Sequence, residues 1–373
     1  MGEALIVKRA SLLQAKRYGV RVADDESDPI MERIYDSAEM IANVGTTLLD
    51  TPRNDFDNIY PFNKIIEETI NGRVMMRIPK FYVRREHYQE FDTWYREWAI
   101  CERKYDESYV PHEMFLKGNV QYTGNNPDSD YNNYTWVSKY EISSNNQSIS
   151  DASVQVSQTR ATMRTNAKAI GNGWSIMDIA TWNGLWILFH IVFANRDSGS
   201  IMAGNRTSTV LNTGLTTGAL ASCVQIAGSV LNSGSLSFYG IENLYSNTTK
   251  VVDGLNVYGG NQFYSCTNIA NYIDDGSTNY VQIAYSTNQS SGYVKAVGFD
   301  ANNKYVEVCT EVGASATTFF CSTLFNSIGV SWRVVGVGAD NTSFYSTISG
   351  LYIYFTSTST WSSGSSLLIY RPY

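Results

Sequence analysis

Three groups of side chains in this chain have types and spacings that bear on chemistry. The first is a pair of thiols, Cys309 and Cys321, twelve residues apart. A reactive cysteine needs an electropositive setting that holds it as thiolate. The neighbours Val308, Thr310, Phe320 and Ser322 carry no charge, so these thiols read as buried and inert. The second group is carboxylates: Asp274 with Asp275, and Glu307 with Glu311. Two carboxyl groups flanking a glycosidic bond can act as acid and as base or nucleophile, which makes a polysaccharide hydrolase the enzymatic rival to a binding function. Asp274-Asp275-Gly276-Ser277 also has the composition of a polar turn or a calcium-coordinating loop, and Glu307 and Glu311 are expected on or just after a strand. His87, His112 and His190 are scattered, and His190 lies in an apolar run where a hydrogen-bonded core residue is expected. No nucleophile-elbow, phosphate-loop or His-Glu-x-x-His pattern occurs. Neither a catalytic residue, a metal ligand nor a cofactor is therefore assigned.

The third group suits binding. Positions 341 to 370 hold no charged residue, but seven aromatics and fourteen Ser or Thr. Tyr and Trp give large, stiff contact area at low entropic cost, and Ser, Thr and Asn adapt their hydrogen bonds, as in antibody loops. Aromatic faces also stack on sugar C–H surfaces. In Gly350-Leu-Tyr-Ile-Tyr-Phe355, strand alternation with Leu351, Ile353 and Phe355 inward would turn Tyr352 and Tyr354 outward. The candidate ligand-binding residues are Asp340, Asn341, Thr342, Phe344, Tyr345, Ser346, Tyr352, Tyr354, Thr356, Thr358 and Trp361.

The rest of the 373 residues must position that stretch. Hydrophobic residues make up 43% of the chain and charged residues 17%, with a net charge of -7. That balance is globular and argues against a nucleic-acid partner. The longest apolar run, Leu185 to Ala194, is about half of what a bilayer span needs and reads as a buried helix. The first residues lack the apolar core of a secretory signal, so folding in a cytoplasm is expected, with no membrane partner. Five cysteines without a Cys-x-x-Cys pair fit reduced, buried thiols.

Charge is uneven: 49 of the 63 charged residues lie in positions 1 to 197 and 14 in the remaining 176. The poorly charged half keeps its Tyr, Phe, Trp, Val and Ile, which disordered segments lack. It is expected to fold as short strands and loops. Residues 1–70 read as an N-terminal module with amphipathic helices near Asp36 to Ala42 and Phe62 to Ile70, and residues 71–373 as the main domain. Within that domain a strand is expected around Val74 to Tyr88. A helix should open at Ser157 to Arg160 and stop at Gly171-Asn172-Gly173. A second, apolar on every face, should run from Ser175, its N-cap, to Ala194. Short strands follow at Cys223 to Ile226, Tyr280 to Ala284, Tyr305 to Cys309, Trp332 to Val337 and Leu351 to Phe355.

Several of these segments, in this order, resemble the C-type-lectin-fold domains of phage tail proteins and of the variable proteins of diversity-generating retroelements. They are Ile78 to Val83, Tyr109 to Phe115, Gly173 to Phe189, Tyr239 to Val257, Gly292 to Asp300 and Trp332 to Phe355. The resemblance spans about three-quarters of the chain. It implies an α+β C-type-lectin fold, like that of formylglycine-generating enzymes, with two helices packed on short antiparallel sheets with long loops. It further implies a receptor-binding adhesin, homotrimeric at a virion tail tip. Its N-terminal module would serve virion attachment or oligomerisation beside other tail proteins, and its C-terminal surface would meet a host cell-surface protein or glycan. The Asn, Ser, Thr, Tyr, Phe and Asp at positions 340 to 346 and the Ser/Thr run at 356 to 363 are what retroelement diversification tends to yield. Relatives carry a Trp-Glu-Trp-type run where this chain has Ser246-Asn247-Thr248-Thr249-Lys250, a second Gly where Ala339 stands, and Arg where Ser366 stands. The copper-binding cysteine pair of formylglycine-generating enzymes is closely spaced, unlike Cys309 and Cys321. A purely structural tail protein is the third alternative.

Overall fold

The computed structural model describes residues 15–230, 233–283, 291–299, 306–327, 329–338 and 347–373. Those residues are mostly β-sheet with three α-helices, an α+β architecture. The first sheet joins β1 (Arg17–Ala23), β2 (Glu32–Tyr35), β5 (Tyr82–Glu90), β6 (Thr93–Cys101) and β7 (Val110–Pro111), in the order β2-β1-β6-β5-β7. Tyr18, Val20 and Val22 turn inward at the strand period of two.

The central sheet has the order β3-β4-β8-β22-β9, from β3 (Ile66–Ile70), β4 (Arg73–Pro79), β8 (Tyr134–Ser138), β9 (Trp174–Ile176) and β22 (Leu368–Tyr370). The end of the described chain thus pairs antiparallel with two strands formed some 200 residues earlier. A three-stranded sheet follows, from β10 (Cys223–Ala227), β11 (Gly234–Phe238) and β12 (Ile241–Glu242).

The largest sheet is built on β13 (Thr249–Tyr258), flanked on one side by β14 (Gln262–Ser265) and β15 (Val281–Gln282). On its other side come β19 (Trp332–Gly338), β20 (Leu351–Ile353), β18 (Thr323–Asn326), β16 (Gly292–Gly298) and β17 (Val308–Val312), while β21 (Gly364–Ser365) adds in parallel to β13.

Helix α1 (Arg160–Lys168) is capped by Thr159, whose hydroxyl accepts the Thr162 N–H. Helix α2 (Ile179–Phe193) is capped by Asp178 rather than by Ser175, which lies in β9. All fifteen residues of α2 are buried, as an apolar surface on every face requires. It packs against β1, β6 and β13, and Trp186 meets Trp98 of β6 edge to face at 5.2 Å. The third helix, α3 (Ser198–Ile201), is one turn.

Two expectations need correction. The boundary at residue 70 is not a domain boundary. β1 pairs with β6 along seven residues, β3 pairs with β4, and Tyr18, Val20, Phe56 and Phe62 share one core with Trp98, Leu185 and Leu255. Nor are the two early helices present. Asp36 to Glu39 is a turn, Phe62–Lys64 a single 3-10 turn, and Ile66–Ile70 the strand β3. Asn71-Gly72, both at positive φ, close a two-residue hairpin from β3 to β4. That pairing outweighs the helical composition before it, because Asn-Gly fits the turn that matches strand twist.

Candidate ligand-binding surface

Charge explains the chemistry of the C-terminal half. Eleven of its fourteen charged residues are described, and only Asp275 among them is exposed. The others are half-buried or fully inside, where they join elements together. Lys250 of β13 and Glu141 meet at 2.8 Å with neither exposed, and the ammonium also donates to the Ser246 and Thr248 carbonyls. Burial pushes the Lys250 ammonium below its ordinary range. Arg371 reaches Asp178 at 2.6 Å, tying the last described strand to the cap of α2. Arg160 and Arg164, one turn apart on α1, both grip Asp274 at 2.6 Å, and Arg164 also grips Asp253 at 2.5 Å.

These contacts occupy the candidate catalytic side chains. Asp274 faces two guanidinium groups, the opposite of a calcium site, and Asp275 points away to solvent. Glu307 is ion-paired with buried Arg85, which also binds Glu113 at 3.0 Å, and Glu311 pairs with Lys295 at 2.6 Å. Neither pair presents two free carboxylates to one bond. Burial pushes the Cys309 and Cys321 thiols up to about 12, and all five cysteines are free and buried. His190 is buried, bonds the Trp186 carbonyl at 2.8 Å, and is held down to about 4 by desolvation. His112 is buried against Arg85, while His87 meets Asp24 at 2.8 Å on the first sheet. Among the described residues, no three His, Cys, Asp or Glu side chains converge on a metal-sized site.

Of the proposed binding residues, Asp340, Asn341, Thr342, Phe344, Tyr345 and Ser346 lie outside the described residues. Tyr354 is 61% exposed, Thr358 is exposed and Thr356 half-buried. Thr356 starts a small turn in which its N–H donates to Ser359 Oγ at 3.1 Å.

Tyr352 and Trp361 correct the expectation: they are only 5% and 3% exposed. Both faces of β20 are covered. Leu351 and Ile353 enter the main core, while Tyr352 joins a second core with Val251, Val334 and Trp361. The alternation fails at its end because the register slips. Gly336 pairs with Tyr352, yet Val334 donates to the Phe355 carbonyl, one residue beyond Tyr354. Phe355 therefore turns under Trp361, stacked at 3.8 Å, and Tyr354 is left in solvent. Trp361 fits only because Gly336 lies beneath it: a Cβ there would stand 2.3 Å from the indole.

The sequence reading missed four rings. Phe325 of β18, 40% exposed, stacks on Tyr352 at 5.2 Å. Tyr258, Tyr264 and Trp332 form a contiguous group on the neighbouring strands β13, β14 and β19 of the same sheet, with Trp332 5.1 Å from Tyr258 and 5.2 Å from Tyr264. The signal was present: Gly259-Gly260-Asn261 closes a hairpin between two alternating runs, each carrying a Tyr. No helix among the described residues is long and apolar enough to cross a membrane.

No protein-family model matches the chain, and no curated protein matches it in sequence.

Proposed function

We propose that this protein is a non-catalytic receptor-binding adhesin of a phage or prophage tail tip, with a C-type-lectin fold. It grips a host cell-surface protein or glycan through the surface around residues 340 to 363. One observation carries the reading: among the described residues of the C-terminal half most charged side chains are buried or paired, while the uncharged Tyr354, Phe325 and Thr358 stand exposed. Such a patch is what interaction sites use, since rigid rings gain contact area while hydroxyls adapt.

Support for the fold comes from two helices of eight or more residues packed on short, mainly antiparallel sheets with long connections. Homotrimeric display beside other tail proteins would multiply weak contacts into firm adsorption. Retroelement diversification of positions 340 to 346 and of exposed positions within 356 to 363, such as Thr358, would change the ligand.

The test is adsorption to host cells by virions carrying Tyr345→Ala, Tyr354→Ala and Thr358→Ala together, with folding followed by thermal melting. Adsorption should fall at least tenfold with the melting temperature unchanged. Wild-type adsorption by a folded triple variant refutes the assignment.

A further inference from the structure

The pairing registers place five uncharged side chains on one face of the large sheet, on strands β13, β14, β15 and β19. Tyr258 is opposite Gln262 across the β13–β14 hairpin and opposite Trp332 on β19. Tyr264 is opposite Gln282 on β15, and also opposite Asn256, two residues from Tyr258. Directly paired residues share a face, as do residues two apart. Tyr258, Tyr264 and Trp332 are half-buried, with Trp332 in ring contact with both tyrosines, while Gln262 and Gln282 are exposed. The Tyr264 hydroxyl donates to Gln262 Oε1 at 3.2 Å, which orients that amide beside the rings.

We propose that this platform is a binding site for a neutral oligosaccharide, distinct from the receptor surface at residues 340 to 363 and independent of it. Three joined rings provide apolar faces for the C–H surfaces of successive sugars. The flanking amides can each donate and accept hydrogen bonds to hydroxyls. Charge selects the class. Arg333 alternates to the opposite face and bonds Ser327 Oγ at 3.2 Å, and Asn256, on the platform face, is used internally by the Ile273 and Gly276 carbonyls. The exposed charge near these strands, Asp275, repels anionic sugars. Among the described residues, the cation against this face is Arg160, which donates to Asn256 Oδ1 at 2.5 Å but is buried and ion-paired with Asp274, out of reach of a sulfated or carboxylated polymer.

The turn that sets this geometry needs its glycines. Gly259 and Gly260 have φ of +66° and +76°, a region that side chains disfavour. The Gly260 carbonyl accepts from Asn326 Nδ2 at 2.7 Å, fixing the hairpin to β18.

The test uses the full chain and purified cellohexaose, maltohexaose and chitohexaose, with heparin as the anionic control, read by isothermal titration calorimetry. At least one neutral hexasaccharide should bind, and Trp332→Ala should weaken it tenfold or more. Trp332→Phe should retain part of the affinity, and the exposed change Gln262→Leu should cost several-fold with melting unchanged. Should Trp332→Ala fail to fold, Tyr258→Ala with Gln262→Leu replaces it. Binding of none of the neutral sugars, preference for heparin, or wild-type affinity in the folded variants overturns the proposal. Tyr354→Ala should leave sugar affinity unchanged, so loss of host adsorption in that variant reports on the receptor surface alone.

Discussion

On the first sheet, Arg21 bridges Glu32 at 2.6 Å and Glu90 at 2.8 Å while both carboxylates remain about half exposed. Inside the large sheet's half of the molecule, Lys250 and Glu141 meet at a similar 2.8 Å, with neither in contact with solvent. The distances are alike and the energetics are not. A surface pair is solvated on its outer side and screened by salt. A buried pair gives up hydration on both partners, so losing one strands the other in a medium that cannot solvate it. The comparison teaches where most charges of a poorly charged segment go: among the described residues they serve mainly as internal ties, with Asp275 and the Lys295–Glu311 pair nearer solvent.

The sharpest way to break this comparison is Glu141→Ala. Stranding Lys250 should cost about 3–5 kcal/mol in urea denaturation, and a loss below about 1 kcal/mol would put the pair in the surface class. Trp361→Ala should cost a comparable ~3–5 kcal/mol, because the indole fills the second core rather than facing a ligand. A folded Trp361→Ala variant of undiminished stability and lost adsorption would reverse that assignment.

Acid sharpens the contrast from the interior side. His190 binds its proton near 4 when folded, below the ordinary value of about 6.5 in the unfolded chain. The unfolded state therefore takes up the proton first, and stability falls as pH drops from about 6.5 toward 4, by up to about 3 kcal/mol. His190→Phe should flatten that limb of a stability-against-pH curve; an unchanged limb would assign it to other groups. Arg21→Ala on the first sheet should cost less than about 1 kcal/mol, with the difference shrinking in high salt. Smallest of all, Tyr354→Ala should shift stability by no more than about 0.5 kcal/mol, its effect being confined to adsorption.

Much of this was legible in the residues. The apolar run Leu185 to Ala194 reads as a buried helix, as α2 is, and Trp332 to Val337 reads as a strand from its β-branched composition. What escaped were features set by distant partners. Ile66–Ile70 has the composition of a helix and becomes a strand because Asn71-Gly72 folds it back on β4. Tyr352 looks solvent-facing under simple alternation, but no local pattern says that Trp361, nine residues on and seated against Gly336 and Gly364, will cover the second face of β20. The fate of Asp253, Asp274 and Lys250 was equally hidden, since an isolated charge in sequence carries no mark of the partner that will bury it.

The place of β22 has a consequence for how the chain reaches this state. Its three residues lie between β8 and β9, so everything from residue 177 to 367, half of the polypeptide, is an excursion between two adjacent strands of the central sheet. That sheet cannot close during synthesis until residue 370 has left the ribosome. Closure over so long a sequence separation makes for slow folding. The same clasp holds both ends of the excursion once shut.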